Sequence, residues 1–242
     1  MSLVRRVRRL MGTAVAITVP FEHLDAVDPA FDRLAWVERT FSVHRDDSEI
    51  SRIGAGGLSP ADAHPLVQEV LDTCSRLERE TAGWFRPSGP DRPLDPSAYV
   101  KGWAVDLAAD DLIAAGVRSG SVAAGGDIAV IGSQPDGSPW GVGIRDPEGD
   151  GALATVDLVD AAIATSGSYE RGDHVWNRAG DGYRSVTVVG PSLGTADALA
   201  TALFADGGTD LSWAGAFDLY AWLVVLANGR LGLTPGMERR LA

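Results

Sequence analysis

The sequence predicts an α+β fold: a single domain over residues 1–242, with mixed, mainly antiparallel strands and several packed helices. Three observations predict it. The first half carries helical periodicities separated by turns, and the second half carries short alternating or apolar runs separated by glycine-rich turns. The chain has 242 residues, 45% apolar and 22% charged, which is enough to bury a sizeable core. No linker, low-complexity tract or repeat period divides it.

The elements follow in order. Val15, Ile17 and Val19 alternate with Ala16 and Thr18, which predicts a half-buried first strand from Ala14. Arg5, Arg6, Arg8 and Arg9 ahead of Met11–Val19 also have the look of a basic leader with an apolar stretch. That stretch is too short to cross a bilayer, and neither a small-residue cleavage box nor a cysteine for lipid attachment accompanies it. A strand and a cytoplasmic protein without a membrane span are therefore expected. Residues 24–42 read as a helix, and 46–53 as a short helix capped by Asp47 or Ser48. Leu66, Val67, Val70, Leu71, Cys74 and Leu77 recur at helical spacing across 65–81. Residues 83–97 are proline- and glycine-rich and read as a loop. A third helix runs from about Lys101 to Ala115, stopped by Gly116. Strands follow at 121–124, 128–131, 140–144, 153–159, 161–165 and 184–189, then a helix at 196–205 closed by Gly207. A weaker helix is expected at 214–222, and Asn228-Gly229 marks a tight hairpin.

Charge and cysteine usage narrow the function. With 21 basic and 33 acidic residues the net charge is −12, which disfavours non-specific binding to nucleic acid or anionic lipid. A single cysteine, Cys74, excludes an internal disulfide framework and a cysteine-built zinc site. Lys101 is the only lysine; the other 20 basic residues are arginines. A compact ammonium survives there in a chain that otherwise uses the broad guanidinium fork, which suggests a site where the fork does not fit.

Four constellations hold chemistry-bearing groups. In Gly194-Thr195-Ala196-Asp197-Ala198-Leu199-Ala200-Thr201, Asp197 and Thr201 lie four apart and share a helix face. A carboxylate and a hydroxyl so placed offer magnesium two hard oxygens. The same residues also read as a helix start capped by Thr195, with Asp197 at the positive end of the dipole. In Asp95 to Gly102, a loop carboxylate and a lysine at a helix start invite an anion, or stand as a solvated loop. The turns at Met11-Gly12-Thr13, Gly125-Gly126-Asp127 and Thr165-Ser166-Gly167 expose backbone amides able to hold phosphate, and none follows the dinucleotide or Walker pattern. His174 is a candidate general base at neutral pH.

In their order along residues 10–236, these segments resemble the ApbE-type flavin transferases, the FAD:protein FMN transferases. The resemblance rests on Met11-Gly12-Thr13, on Phe41 to Ser51, and on Asp95 with Lys101-Gly102-Trp103-Ala104-Val105-Asp106. It rests further on Gly125-Gly126-Asp127, Thr165-Ser166-Gly167-x-Tyr169, and Ala196-Asp197 to Thr201. It implies an ApbE or T-fold-like architecture. It also implies a magnesium-dependent enzyme that splits FAD, passes FMN to a threonine or serine hydroxyl of an acceptor protein, and releases AMP. The acceptor carries a flavinylation motif, Asp-Gly-x-Ser/Thr-Gly-Ala-Thr. By position, the metal ligands are Asp197, Thr201 and the carbonyl of Ala98. FAD is held by Met11, Gly12, His44, Trp84, Phe85, Arg86, Asp95, Lys101, Ser166, Gly167 and Arg171, and His174 is the base. The chain departs from the family pattern at His44, where a stacking tyrosine is usual, and at Phe85-Arg86-Pro87-Ser88, which lacks a carboxylate. It departs again at His174-Val-Trp176-Asn177, which lacks an aspartate and a proline. A family member that only binds FAD, and an FAD pyrophosphatase that uses water, are the alternative readings.

Overall fold

The structure is a computed structural model that describes residues 2–89, 93–167 and 182–242. Its spine is an eight-stranded antiparallel sheet. Ten strands, in chain order, are β1 (Leu3–Leu10), β2 (Thr13–Pro20), β3 (Gly120–Ala124), β4 (Asp127–Ile131), β5 (Trp140–Arg145), β6 (Ala152–Leu158), β7 (Ala161–Gly167), β8 (Tyr183–Gly190), β9 (Ala221–Leu226) and β10 (Leu231–Leu233). The sheet order is β1-β2-β3-β4-β7-β8-β9-β10, and β5 pairs with β6 in a separate hairpin. The helices are α1 (Val27–Phe41), α2 (Glu49–Gly54), α3 (Pro65–Glu80), α4 (Ser97–Ala114), α5 (Leu193–Asp206) and α6 (Pro235–Glu238).

The two-residue period of the strands sorts the core into two compartments. On β4, Ala129 and Ile131 face the helices while Val130 faces the opposite side; on β7, Ala162 and Ala164 face the helices while Ile163 does not. The first set packs with α1, α3, α4 and α5. The second packs with Ile144, Val156 and Leu158 of the β5–β6 hairpin and with Met237 of α6. Helix α5 packs on β7 and β8 and against α4, which itself packs on β3 and β4. It is buried along almost its whole length, so it reads as apolar all round apart from Asp197, Thr201 and a few neighbours.

The α+β architecture with mainly antiparallel strands is as the sequence implies, and the differences are local. Residues 3–10, ahead of the strand expected from Ala14, form a further strand, the edge strand β1, paired with β2 from Leu3↔Pro20 to Leu10↔Thr13. Met11 (φ 52°) and Gly12 (φ 72°) form the connecting two-residue turn, whose two positive φ angles suit the twist of a tight hairpin. The arginines of β1 line an open sheet edge, where charge discourages pairing with another chain. The helix expected at 214–222 is a short 3₁₀ turn (Ser212–Ala216) followed by β9. Both faces of β9 are covered, so its apolar run has no alternation to separate it from a buried helix. Helix α4 begins at Ser97, a turn before Lys101, and α5 begins at Leu193 with Ser192 as its cap, accepting from the Thr195 amide. Lys101 and Asp197 therefore both lie inside their helices, away from the terminal dipoles invoked for them. Ser48 is the cap of α2. Among the described residues no helix is long and apolar enough to cross a membrane.

Candidate active site

Antiparallel pairing brings the Met11-Gly12 turn, the Gly125-Gly126 turn and the Ser166-Gly167 end of β7 to the same end of the sheet. The Gly125 amide donates to the Ala14 carbonyl at 3.1 Å, which joins the first two. Asp127 opens β4 just beyond that turn. Its Oδ1 accepts from the Thr165 amide at 3.1 Å, tying β4 to the last residues of β7.

Helix α4 delivers Lys101 to this point and α5 delivers Asp197. The Lys101 ammonium forms ion pairs with the Asp127 carboxylate and with Asp197 Oδ2, the latter at 3.1 Å. Asp127 and Asp197 are 1% and 4% exposed, so both carboxylates have left water. Burying a carboxylate is costly unless a cation compensates it, and Lys101 brings a positive charge to both. One turn along α5, the Thr201 hydroxyl lies 3.4 Å from the Ser166 hydroxyl, and Thr165 meets Thr187 at 2.9 Å. The Asp127 and Asp197 carboxylates, the Thr201 and Ser166 hydroxyls and the Lys101 ammonium thus converge where α4, α5 and the sheet end meet.

A close helix crossing sets the spacing. A Cβ at Gly102 would lie 2.4 Å from the Leu193 carbonyl oxygen, so only glycine lets α4 approach the start of α5 this closely. From one turn further along α4, Asp106 clamps the same crossing. Its Oδ1 accepts from the Leu193 amide, and its Oδ2 from the Gly194 amide and the Ser192 hydroxyl, each at 2.9 Å. Burial pushes the Asp106 carboxyl above the ordinary carboxylate range, and these three hydrogen bonds pull partly back.

The remaining expected residues are placed as follows. Met11 is partly buried, and its amide donates to Glu38 at 3.1 Å. Asp95 Oδ1 accepts from both the amide and the hydroxyl of Ser97, and the Asp95 amide donates to the Pro87 carbonyl at 2.7 Å, fixing the base of the 83–97 loop. Ala98 lies in the first turn of α4. The Phe85 ring is in the main core, Trp84 is partly buried against it, and exposed Arg86 pairs with Glu78 at 3.5 Å. His44 is exposed, its amide accepted by the Ser42 hydroxyl. Arg171 and His174 lie outside the described residues. The structure gathers Lys101, Ser166, Asp197 and Thr201 at one point, and among the described residues no hydrogen bond, ion pair or ring contact joins His44, Trp84, Phe85 or Arg86 to that group. Asp127 and Asp106 carry clear structural duties that the sequence reading left unassigned. The available signal was a carboxylate inside an otherwise apolar segment, Asp127-Ile-Ala-Val-Ile131.

The donor chemistry can be tested against a metal. Among the described residues no three or more His, Cys, Asp or Glu side chains cluster as a metal cage. The group is instead all-oxygen and sparse, with a protein cation already seated at Asp197. Zinc prefers nitrogen and sulfur ligands in a closed set. A partly hydrated magnesium ion, which takes one or two carboxylates and completes its shell with water and phosphate, fits these residues.

The sequence model of the ApbE family matches residues 11–90 and 86–216. The FAD:protein FMN transferase of Rhodobacter capsulatus is 38% identical over 180 residues, covering 66% of this chain and 33% of that protein. The FAD:protein FMN transferase of Vibrio cholerae is 35% identical over 133 residues, covering 49% of this chain and 40% of that protein. The chain thus spans less than half the length of both relatives. Among solved structures, an ApbE protein from Thermotoga maritima matches with a TM-score of 0.87 at 20% identity over 100% of both chains. The apo flavinyl transferase ApbE of Pseudomonas stutzeri matches at 0.82 and 21% identity, over 100% of this chain and 98% of that one. At these identities the two structures establish the fold.

Proposed function

Because the chain belongs to the ApbE family, we propose that it transfers FMN from FAD to a threonine or serine hydroxyl of an acceptor protein, releasing AMP with the help of magnesium. The observation that carries this reading is the seat built around Asp197: a buried carboxylate with a hydroxyl one turn along and a lysine ammonium 3.1 Å away. That set suits a diphosphate, whose negative charge must be neutralised while the nucleophile and leaving group are aligned.

In the proposed reaction the acceptor oxygen forms a bond to the flavin-side phosphorus, and the bond from that phosphorus to the bridging oxygen breaks. The electron pair leaves with AMP, and the hydroxyl proton passes to a base. His174 is the proposed base. Asp197, Thr201 and the Ala98 carbonyl would hold the magnesium ion, which when bound neutralises phosphate charge. Lys101, at the same carboxylate, offers an ammonium to the diphosphate. The Met11-Gly12 and Ser166-Gly167 segments frame the same end of the sheet as candidate contacts to FAD, although the Met11 amide is already committed to Glu38 and Ser166 and Gly167 are paired with β8, so the turns are less open to phosphate than their sequence suggests. Asp95, fixed by Ser97, holds FAD from the loop side, with Trp84, Phe85, Arg86, His44 and Arg171 as further candidate contacts.

The test is an incubation with FAD, magnesium and a peptide carrying the flavinylation motif, with products separated by chromatography. Flavinylated peptide and AMP in equal amounts are expected. FMN and AMP formed equally well without peptide would replace the transferase by a pyrophosphatase. FAD bound without any product would replace it by a binding module.

A further inference from the structure

Lys101 is shared between two carboxylates of different connectivity, and that difference assigns them different duties. Asp197 is on α5 beside Thr201, in the seat read above as the cation site. Asp127 is on the sheet, its Oδ1 committed to the Thr165 amide at 3.1 Å and its Oδ2 to Lys101. At 1% exposure it has no route to a solvent counter-ion.

We propose that Asp127 is the positioning residue for Lys101: it keeps the ammonium in the site when a divalent cation takes Asp197. The inference rests on Asp197 and Thr201 as the cation seat. In the structure Lys101 pairs with both carboxylates. A magnesium ion at Asp197 brings its own charge, repels the ammonium and competes for Oδ2. The lysine side chain is a flexible stem carrying a point charge, so it can give up one partner by a small torsional change. Asp127 then becomes its anchor. The ammonium stays at the sheet end, beside the Thr165-Ser166-Gly167 backbone, where it can face a substrate phosphate. Without Asp127, cation entry would expel Lys101 towards solvent. An arginine in this place would spread its charge over a broad fork and reach both carboxylates at once, so it could not be handed from one to the other as cleanly. That accounts for the one lysine in a chain of arginines.

The same rarity supplies the test. Protein labelled with ¹³C,¹⁵N-lysine gives one side-chain Cε/Nζ signal, because Lys101 is the only lysine. The signal is followed as magnesium is added, with no FAD present. In the wild type it moves saturably and stays distinct from a free lysine side chain. In Asp127→Asn, magnesium moves it to the free-lysine position; in Asp197→Asn, magnesium leaves it where it is. A free-lysine position in magnesium-loaded wild type, or an anchored signal in magnesium-loaded Asp127→Asn, overturns the proposal. Manganese, as a paramagnetic probe on the wild type alone, separates the two levels of claim. Broadening of the signal by manganese with no shift by magnesium refutes the sharing of Lys101 and leaves the cation seat standing. No broadening refutes the seat and the proposal together. The wild-type arms do not depend on either variant folding.

Discussion

Gly102→Ala probes the crossing that holds Lys101 against Asp197. The added Cβ would lie 2.4 Å from the Leu193 carbonyl oxygen, 2.6 Å from its carbon and 2.8 Å from the Gly194 nitrogen, where ordinary contact begins at 3.4 Å. All three are backbone atoms, so no side-chain rotation relieves the overlap, and α4 must lift from α5 by about 1 Å. Overpacking of this kind costs about 1–3 kcal/mol. Replacing a mid-helix glycine by alanine returns roughly 1 kcal/mol of helix propensity. The net loss of up to about 2 kcal/mol lowers Tm by up to roughly 8 °C in a chain of this size. Activity falls further than stability, because the same shift separates Lys101 on α4 from Asp197 on α5; a displacement of 1 Å in a reacting constellation costs on the order of 100-fold in rate. Thermal unfolding and the rate of flavinyl transfer at saturating FAD measure the two effects. Gly215→Ala, with nothing within 4 Å of the added carbon, is the matched control and should leave both unchanged. A Gly102→Ala protein with wild-type transfer rate and undiminished Tm would refute the close crossing as the device that sets the site.

Three further outcomes follow from the same geometry. Burial raises the folded-state carboxyl of Asp106 above its unfolded value near ~3.9, so the folded protein holds that proton more firmly. The stability difference between wild type and Asp106→Asn should therefore narrow as pH rises from the unfolded value through the raised one, and denaturant midpoints that diverge instead would reverse the sign. Ser48→Ala removes the acceptor for the Ser51 amide at 3.0 Å and the donor to the Ser42 carbonyl at 2.7 Å, and urea unfolding should show a loss of about 1–2 kcal/mol. Burial first, and the nearby charge of Glu78 second, push the Cys74 thiol up to about 12. Iodoacetamide at mildly alkaline pH should therefore leave the folded protein unmodified and add one label on unfolding, as read by intact mass.

Much of this was legible in the sequence where one rule dominated. The 3.6-residue spacing of Val67, Val70, Cys74 and Leu77 gave α3, and the alternation of Val15, Ile17 and Val19 gave β2, because each element has one wet and one dry side. Strand β9 is dry on both sides and lost that signal. Strand β1 was hidden because its arginines belong to an exposed edge, where polarity carries no period. In the site, Asp197 and Thr201 were readable from their spacing of four. Lys101 stood out as the single lysine, although its partners are 26 and 96 residues away in the chain, beyond any local pattern. Asp127 and Asp106 bond to backbone amides of other elements, and Asp127 also to Lys101; the one local signal, a carboxylate opening an apolar strand at Asp127, does not say which partners it meets.

The central claim is that α5 carries the cation seat at Asp197 and Thr201. Crystals of the protein soaked with manganese and FAD, measured at the manganese absorption edge, test it most directly. An anomalous peak within bonding distance of the Asp197 carboxylate and the Thr201 hydroxyl, with the FAD diphosphate against it, is the predicted result. A bound FAD whose diphosphate lies away from α5, with no anomalous peak at Asp197, would contradict it.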